Sequence, residues 1–467
     1  MENHPSPSSV QHAQGSFKFV LFAAAVTAIG GFLFGYDTAV INGANTYLQS
    51  HFALDPDKDT FLIGLATASA IIGCIPGAMS AGVISDRFGR RRVLFYCAIV
   101  YALSAILSSI PRSFVQFIAA RVLSGIAIGA SSMICPVYIA EIAPAKWRGR
   151  LGTLFQFGIV LGIFLTLFIN GWIQKAGDEV WNTNYGWRWM LAAEAIPALI
   201  FLGLLFPIPE SPRWLIQAGR EEEARRILDR IGGKEHALTE IAAVKGVLQQ
   251  EKGSWSDLFS KHYRLPLLIA FVLMVGGQFS GINAIMYYST EIFKTATGSA
   301  NAAFSSSVWI GLINFLATFG AIMFVDKAGR KPLLLIGNAI QAAALITVGL
   351  IFSHNPHSPA LLWFVLLYIS AFEIAAGPLP WVVCSEIFPA KLRGRAMSVS
   401  TLFIWVSCLI VAQTFPLLKS ISAPMTFWIY AGCSAATFLF VLFRLPETKG
   451  RTLEEIELSW GENMMRK

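Results

Sequence analysis

A ten-residue stretch that occurs twice decides how this chain is organised. Residues 141–150 read EIAPAKWRGR and residues 386–395 read EIFPAKLRGR, with eight of ten positions identical at a distance of 245 residues. A second pair, DRFGRR at 86–91 and DKAGRK at 326–331, lies 240 residues apart, and PESPR at 209–213 has a weaker repeat, PETKG, 237 residues later. Three motifs in the same order at nearly the same offset predict two homologous halves joined by residues 208–263.

The composition argues against most soluble classes of protein. Of 467 residues, 55% are apolar and 14% are charged, whereas an ordinary soluble protein carries about 25% charged residues. This disfavours a soluble enzyme, a disordered chain, a disulfide scaffold and a nucleic-acid-binding domain, even though the formal charge is +8. The six cysteines fall inside apolar runs without a metal-like spacing, which indicates packing rather than chemistry.

Twelve apolar runs are long enough to cross a bilayer as helices, which takes about 20 residues each. They lie near residues 17–41, 61–84, 93–111, 114–140, 151–174, 187–207, 264–293, 302–325, 332–353, 360–386, 396–418 and 425–444. Short loops on one side hold thirteen Lys and Arg residues, and those on the other side hold five. Because basic loops stay inside, both termini and the segment 208–263 are predicted to be cytoplasmic.

These runs divide the chain into five predicted parts. They are a disordered cytoplasmic tail at 1–16, a six-helix bundle at 17–207, a cytoplasmic helical linker at 208–263, a second six-helix bundle at 264–444 and a cytoplasmic tail at 445–467. Within the linker, residues 220–231 are predicted to form an amphipathic helix that ends at a Gly-Gly pair.

The motifs resemble those of the sugar porter branch of the major facilitator superfamily, over about residues 17–455. The matching pieces are GVISDRFGRR (82–91), PVYIAE (136–141), RGR (148–150), PESPR (209–213), QFSGIN (278–283), GPLPW (377–381) and PETKG (446–450). The resemblance implies an all-α integral membrane protein with the major facilitator fold, in which twelve transmembrane helices form two pseudo-symmetric six-helix bundles. It also implies a carrier that moves a monosaccharide by alternating access.

Three ionisable residues lie inside predicted spans, where a charge is costly and therefore indicates function. Arg121 and Glu194 lie about 10 Å from the outer ends of their helices at 1.5 Å per residue, and Asp37 lies in the outer third of its own. We expect the three to meet and to act as a proton switch. The alternative is a static buried ion pair that fixes helix packing, and for Glu194 a simple polar group near a helix end.

A neutral sugar needs uncharged hydrogen-bonding groups and apolar ring faces around it. The candidates on interior faces of the spans are Gln156, Gln278, Asn283, Asn314, Trp381 and Trp405. Gln278 and Asn283 would point about 140° apart on a regular helix, so we expect local unwinding at Gly276, Gly277 and Gly281. The alternatives are hydrogen bonds between helices for the amides and lipid or core packing for the tryptophans.

By resemblance, these six residues match the family's sugar ligands, Phe34 and Phe372 match apolar walls, and Tyr287 and Tyr288 match an outer gate. Two positions depart from the usual family pattern, in which Gly277 is a glutamine and Ile404 is an asparagine or glutamine. Each departure removes one hydrogen-bonding partner, which is worth about 1 kcal/mol. The family's usual sugar contacts are therefore incomplete here.

Charged residues cluster at the cytoplasmic ends of the predicted helices. They are Asp86, Arg90, Glu141, Arg148, Glu210, Asp326, Arg330, Glu386, Arg393 and Glu447. One interpretation is topology alone, because arginines hold loops inside. The other is a network of salt bridges that ties the halves together when the carrier faces outward and breaks when it opens inward. Gly377, Pro378 and Pro380 predict a hinge in the tenth span.

The sequence therefore predicts secondary active uptake of a hexose or pentose, with a proton as coupling ion. The alternatives are a passive sugar uniporter of the same fold, a polyol or cyclitol carrier, and a membrane sugar sensor. We expect no enzymatic activity, no cofactor, no metal and no nucleic acid partner. The expected setting is a lipid bilayer, most simply a bacterial inner membrane, in which the protein works as a monomer.

Overall fold

The computed structural model describes residues 16–249 and 254–449. The predicted tails at 1–16 and 445–467 therefore lie largely outside the described residues. Inside the described ranges, the side chains of residues 145–146, 247–249, 322–327 and 390–391 are also left aside. The described residues form helices joined by short turns, and these two ranges contain no strand.

Twelve helices in the described ranges are long and apolar enough to cross a membrane, which confirms the predicted number. We call them spans 1 to 12. Their bounds are Phe17–His51, Thr60–Phe88, Arg90–Ser109, Phe114–Ile142, Trp147–Lys175, Glu179–Leu204, Lys261–Thr297, Ala300–Ala321, Arg330–His354, Ala360–Ile387, Leu392–Ile421 and Ala423–Arg444. Their backbone groups bond within each helix, as lipid requires.

Small residues let the spans approach closely. Span 2 packs along span 4, and span 1 packs along span 5. At the first contact, a Cβ on Gly73 would strike the carbonyl oxygen of Val122, and one on Gly125 would strike that of Ala70. Helix association in lipid depends on such close packing rather than on hydrophobic exclusion of water. The two halves meet where span 2 lies along span 11 and span 5 lies along span 8.

Three spans are interrupted at places where polar groups gather. Span 6 contains a π-helical turn at Asn182–Gly186 and a break between Trp187–Ala192 and Ala195–Leu204. Span 7 consists of Arg264–Phe279 and Ile282–Thr297, separated at Gly281, whose φ is +89°. Span 10 consists of Ala360–Ala371, a π-helical turn at Phe372–Ala376, and Leu379–Ile387. The interruptions expected at Gly281 and at Gly377–Pro378 are therefore present, whereas the unwinding expected at Gly276 and Gly277 is not, because both lie inside the regular helix Arg264–Phe279.

Short helices connect the halves at the end of the bundle that carries the arginine-rich turn after span 2. We call this the basic end and the other the opposite end. The linker helices are Pro212–Gln217, Glu221–Gly232 and Lys234–Gln249. The second confirms the amphipathic helix predicted at 220–231, and its apolar face buries Ala224, Leu228 and Ile231.

Candidate functional site

An ion pair lies inside the first half, between spans 1 and 4. Arg121 places Nη1 2.5 Å from Asp37 Oδ1 and donates from Nη2 to Oδ2 at 2.9 Å. Ser124 also donates to Oδ1, at 2.8 Å. Asp37 and Arg121 are 1% and 2% exposed. The Nε of Arg121 is buried without a hydrogen-bond partner among the described residues, so these contacts must offset both that loss and the removal of the two charges from water.

Glu194 of span 6 is the third ionisable residue beside Asp37 and Arg121, and it lies where span 6 breaks. It is 1% exposed, and its carboxyl lies within hydrogen-bonding range of the Asp37 carboxyl. Its Oε1 has no hydrogen-bond partner among the described residues. The three ionisable residues expected to meet are therefore in one place. They hold two carboxyl groups for one guanidinium, so a single additional proton would make the trio neutral.

A small cavity of about 10 Å³ adjoins the trio. Phe34, Asp37, Arg121, Tyr287 and Trp405 are among the residues that line it. The rings of Phe34 and Trp405, one from each half, lie 5.6 Å apart between centroids. A space of this size holds about one water molecule, so the halves are nearly in contact beside the ion pair.

The amide pair on span 7 meets at the helix break. Asn283 donates from Nδ2 to Oε1 of Gln278. On an unbroken helix these side chains would diverge by about 140°, so the left-handed Gly281 between them brings them onto one side. Both are half-buried. The structure thus joins two of the predicted sugar ligands and shows the cause.

The other residues predicted to contact the sugar differ in how far they are buried. Gln156 is exposed and Trp381 is 38% exposed, so the protein itself encloses neither. Trp405 and Phe372 are buried, at 7% and 6% exposure. Asn314, expected to present a free amide, is 1% exposed and donates to a carboxylate instead.

That carboxylate belongs to Glu373, which the sequence analysis missed. Glu373 lies in the π-helical turn of span 10 and accepts from Asn314 Nδ2 at 2.9 Å and from Thr318 Oγ1 at 3.2 Å. The signal was present, because Glu373 is an ionisable residue inside an apolar run and the argument used for Asp37 applies to it equally. It adds a third buried carboxyl group, which belongs to the second half.

The predicted gate tyrosines lie in the half of span 7 nearer the opposite end, against span 11. Tyr288 donates to the carbonyl oxygen of Ala412 at 3.1 Å, and the hydroxyl of Tyr287 lies 3.7 Å from Cys408 Sγ. Both tyrosines are buried. At the next two residues of span 7, Asn42 of span 1 donates to Ser289 at 2.5 Å and accepts from the backbone N–H of Thr290 at 2.9 Å.

These Asn42 bonds join the two halves at the opposite end of the bundle, and sequence reasoning did not find them. Gln413 of span 11 adds a third such bond, to the carbonyl oxygen of Phe61 in span 2 at 2.9 Å. Among the hydrogen bonds described for residues 16–249 and 254–449, those between the halves lie at this end. The structure is therefore closed at the opposite end.

The charged residues at the basic end form two similar networks, one in each half. In the first, Arg90 contacts Glu141 at 3.1 Å and Asp86 at 2.9 Å, while Glu210 accepts from the backbone N–H of Arg90 at 2.9 Å. Ser211 donates to Glu141 at 2.5 Å. This half therefore fastens three of its own helix ends together.

In the second half, Arg330 contacts Glu386 at 2.9 Å, and Thr448 donates to Glu386 at 2.6 Å. Burial raises the pKa of Glu447, but backbone N–H groups of Lys449, Arg330, Lys331 and Thr448 outweigh it, so this pKa lies below its ordinary value. The repeated motifs thus fold into repeated networks.

The salt bridges described at the basic end each join groups of the same half, and none of them ties one half to the other. Arg148 reaches only the carbonyl oxygen of Ala143, at 3.5 Å. Nε and Nη2 of Arg393 are buried without a hydrogen-bond partner among the described residues. The side chain of Asp326 lies outside the described residues. A lock between the halves is therefore not closed in this structure.

Two duplicated bundles with interrupted helices and buried ionisable groups are the architecture of a membrane transport protein of the major facilitator type. The chain belongs to the sugar (and other) transporter family, whose model matches residues 23–460. It is 39% identical to an arabinose-proton symporter of Bacillus subtilis, covering 98% of this chain and all of that one. It is 36% identical to a D-xylose-proton symporter of Escherichia coli, covering 96% and 97%.

A solved structure gives the same result. The chain matches the inward-open conformation of the xylose transporter XylE from Escherichia coli with a TM-score of 0.85 at 36% identity, over 95% of this chain and all of that one. The predicted family and fold are therefore confirmed, and the protein is a multi-pass membrane protein.

Proposed function

We propose that this protein takes up a monosaccharide together with a proton, by alternating access between the two bundles. The observation that carries the proposal is the buried trio of Asp37, Arg121 and Glu194 beside a cavity that both halves line. The names of the two symporter relatives support the same class of substrate and coupling ion. Coupling then operates on groups inside the membrane, and the substrate itself undergoes no reaction.

The coupling step follows from charge balance in the trio. Two carboxylates beside one guanidinium leave an excess negative charge, which is costly in a low-dielectric interior. One proton on the trio removes that excess. When helix movement separates Arg121 from Asp37, the free carboxylate would again need a proton. Conformation and proton binding are therefore linked through a single contact.

The sugar is proposed to bind between the halves, on the side of Phe34 and Trp405 that faces the basic end. Gln278, Asn283 and Gln156 offer donors and acceptors without charge, and Trp381 offers a ring face. Glu373, which already accepts from Asn314, is a further acceptor in the same region of span 10. Since Gly277 and Ile404 cannot hydrogen-bond through their side chains, a pentose with fewer hydroxyl groups suits this site better than a hexose.

The basic end is proposed to face the cytoplasm, because its short loops carry most of the basic residues. In that orientation both termini are cytoplasmic, and the Asn42 contacts close the outer side. The networks around Arg90 and Arg330 are then the separated parts of the cytoplasmic lock. We therefore propose that the carrier is open toward the cytoplasm in this conformation and that it acts as a monomer.

Uptake by the purified protein in lipid vesicles tests the proposal. Labelled D-xylose, L-arabinose and D-glucose are supplied with and without an inward proton gradient, and external pH is recorded as sugar is added. We expect accumulation above the external concentration and a rise in external pH. Asp37→Asn should abolish accumulation while sugar exchange persists. Uptake that is indifferent to the gradient and causes no pH change would instead identify a passive uniporter.

A further inference from the structure

We propose that Ser280 and Tyr368 form an uncharged counterpart of the Asp37–Arg121 pair, and that this pair positions the sugar-binding amides of span 7. The inference rests on the proposed function and deepens it. It assigns positioning residues in the second half, where the charged mechanism of the first half has no part.

The geometry of the two pairs is alike. The hydroxyl groups of Tyr368 and Ser280 lie 2.9 Å apart, and Tyr368 also donates to the carbonyl oxygen of Ser280 at 3.0 Å. Arg121 likewise holds both the side chain of Asp37 and its carbonyl oxygen, the latter at 3.4 Å. Tyr368 and Ser280 are both 0% exposed. In each half, one residue of the fourth span hydrogen-bonds to both the side chain and the backbone of one residue in the first span.

The sixth span of each half supplies a third group. In the first half this is Glu194, whose Oε1 has no partner among the described residues, and in the second it is Tyr430, whose hydroxyl is buried and also without one. The ring of Tyr430 packs against Gly281, since a Cβ added there would overlap with it. At these positions spans 7, 10 and 12 thus repeat the arrangement of spans 1, 4 and 6 with hydroxyl groups in place of the charged groups, while the carboxyl group of Glu373 lies further along span 10.

The position of Ser280 and Tyr368 at the break in span 7 indicates what this pair does. Ser280 lies between Gln278 and Asn283, and the helix is interrupted there because Gly281 is left-handed. Tyr368 bonds the Ser280 carbonyl oxygen at that interruption. If the break closed into regular helix, Asn283 would turn about 140° away from Gln278. By holding the break, Tyr368 keeps both amides on one side, where a sugar can bond to both.

Tyr368→Phe tests the proposal, because it removes both hydrogen bonds and keeps the ring. We expect the dissociation constant of the sugar that the wild-type protein transports to rise about three- to tenfold, measured by quenching of tryptophan fluorescence in the purified protein. The pH midpoint of uptake should stay unchanged, because the charged trio lies in the other half. Ser280→Ala should have a smaller effect, since Tyr368 still bonds the backbone.

Tyr101→Phe is the matched control. Tyr101 is also 0% exposed, and its hydroxyl lies 2.8 Å from that of Ser131, between spans 3 and 4 where both helices are continuous. Tyr368→Phe loses two contacts of a buried hydroxyl group and Tyr101→Phe loses one, so we expect both variants to lose thermal stability and Tyr368→Phe to lose more. Only Tyr368→Phe should weaken sugar binding.

Three results would overturn the inference: unchanged binding in Tyr368→Phe, an equal loss of binding in Tyr101→Phe, or a shifted pH midpoint in Tyr368→Phe. If Tyr368→Phe does not fold, Ser280→Ala provides the test. We expect its dissociation constant for the sugar to rise about twofold, and an unchanged constant would overturn the inference. A wild-type protein that moves no sugar would refute the proposed function itself, and is thereby distinct from these results.

Discussion

Replacing Gly281 by alanine measures how far the candidate site depends on the break in span 7. At a φ of +89°, a Cβ costs about 1–2 kcal/mol in backbone strain. The same Cβ would also overlap with the ring of Tyr430, and overpacking of this kind costs about 1–3 kcal/mol. The folded state should therefore lose about 2–5 kcal/mol, or the break should shift and carry Asn283 away from Gln278.

Gly298→Ala separates strain from displacement. Gly298 has a φ of +64°, but a Cβ there has no atom within 4 Å, so only the strain applies. We would measure thermal unfolding of both variants in detergent and titrate each with the transported sugar. Gly281→Ala should unfold at the lower temperature and bind sugar about tenfold more weakly, whereas Gly298→Ala should bind normally. Equal sugar affinities in the two variants would refute the reasoning.

Three further changes have expected outcomes. Glu373→Leu should leave the Nδ2 donor of Asn314 unpaired, whereas Thr318 keeps its bond to the carbonyl oxygen of Asn314. We expect a loss of about 1–3 kcal/mol of stability in thermal unfolding, and less than half of that for Glu373→Gln. Asn42→Ala removes two bonds between the halves and should raise the fraction open at the opposite end about tenfold, seen as faster hydrogen exchange there. Because folding lowers the pKa of Glu447, its stabilising effect is present above about pH 4.3 and lost as pH falls through the folded value. The melting difference between wild type and Glu447→Gln should therefore shrink in acid.

Each outcome has a clear opposite. Equal stability of the leucine and glutamine variants at Glu373 would mean that its hydrogen bonds contribute nothing. Unchanged exchange in Asn42→Ala would place closure elsewhere. A melting difference at Glu447 that grows in acid would reverse the sign of its pKa shift.

The sequence predicted those features that depend on one helix at a time. Span number follows from apolar run length, and the break at Gly281 follows from the glycines around two amides. The meeting of Asp37, Arg121 and Glu194 followed from their similar depth, because a charged group at that depth needs a partner. These inferences required only rise per residue and the cost of burial.

Features that depend on how helices turn toward each other were not predicted. The partners of Asn42 lie 247 and 248 residues away, and no pattern in the sequence joins them. The bond from Asn314 to Glu373 likewise depends on the π-helical turn, which shifts every later side chain of span 10 around its axis. The sequence identified the charged residues around Arg90 and Arg330. It did not indicate whether each arginine would pair within its own half or with the other half.

The contrast between the two ends of the bundle bears on how much binding free energy a sugar must supply to switch the carrier between its two conformations. The described hydrogen bonds that hold the opposite end shut number three, about 3 kcal/mol together. A ligand with millimolar affinity releases about 4 kcal/mol on binding. Only the part of that free energy that differs between the two conformations shifts their balance, so a weakly bound sugar suffices when most of it is gained in the conformation that is open at the opposite end.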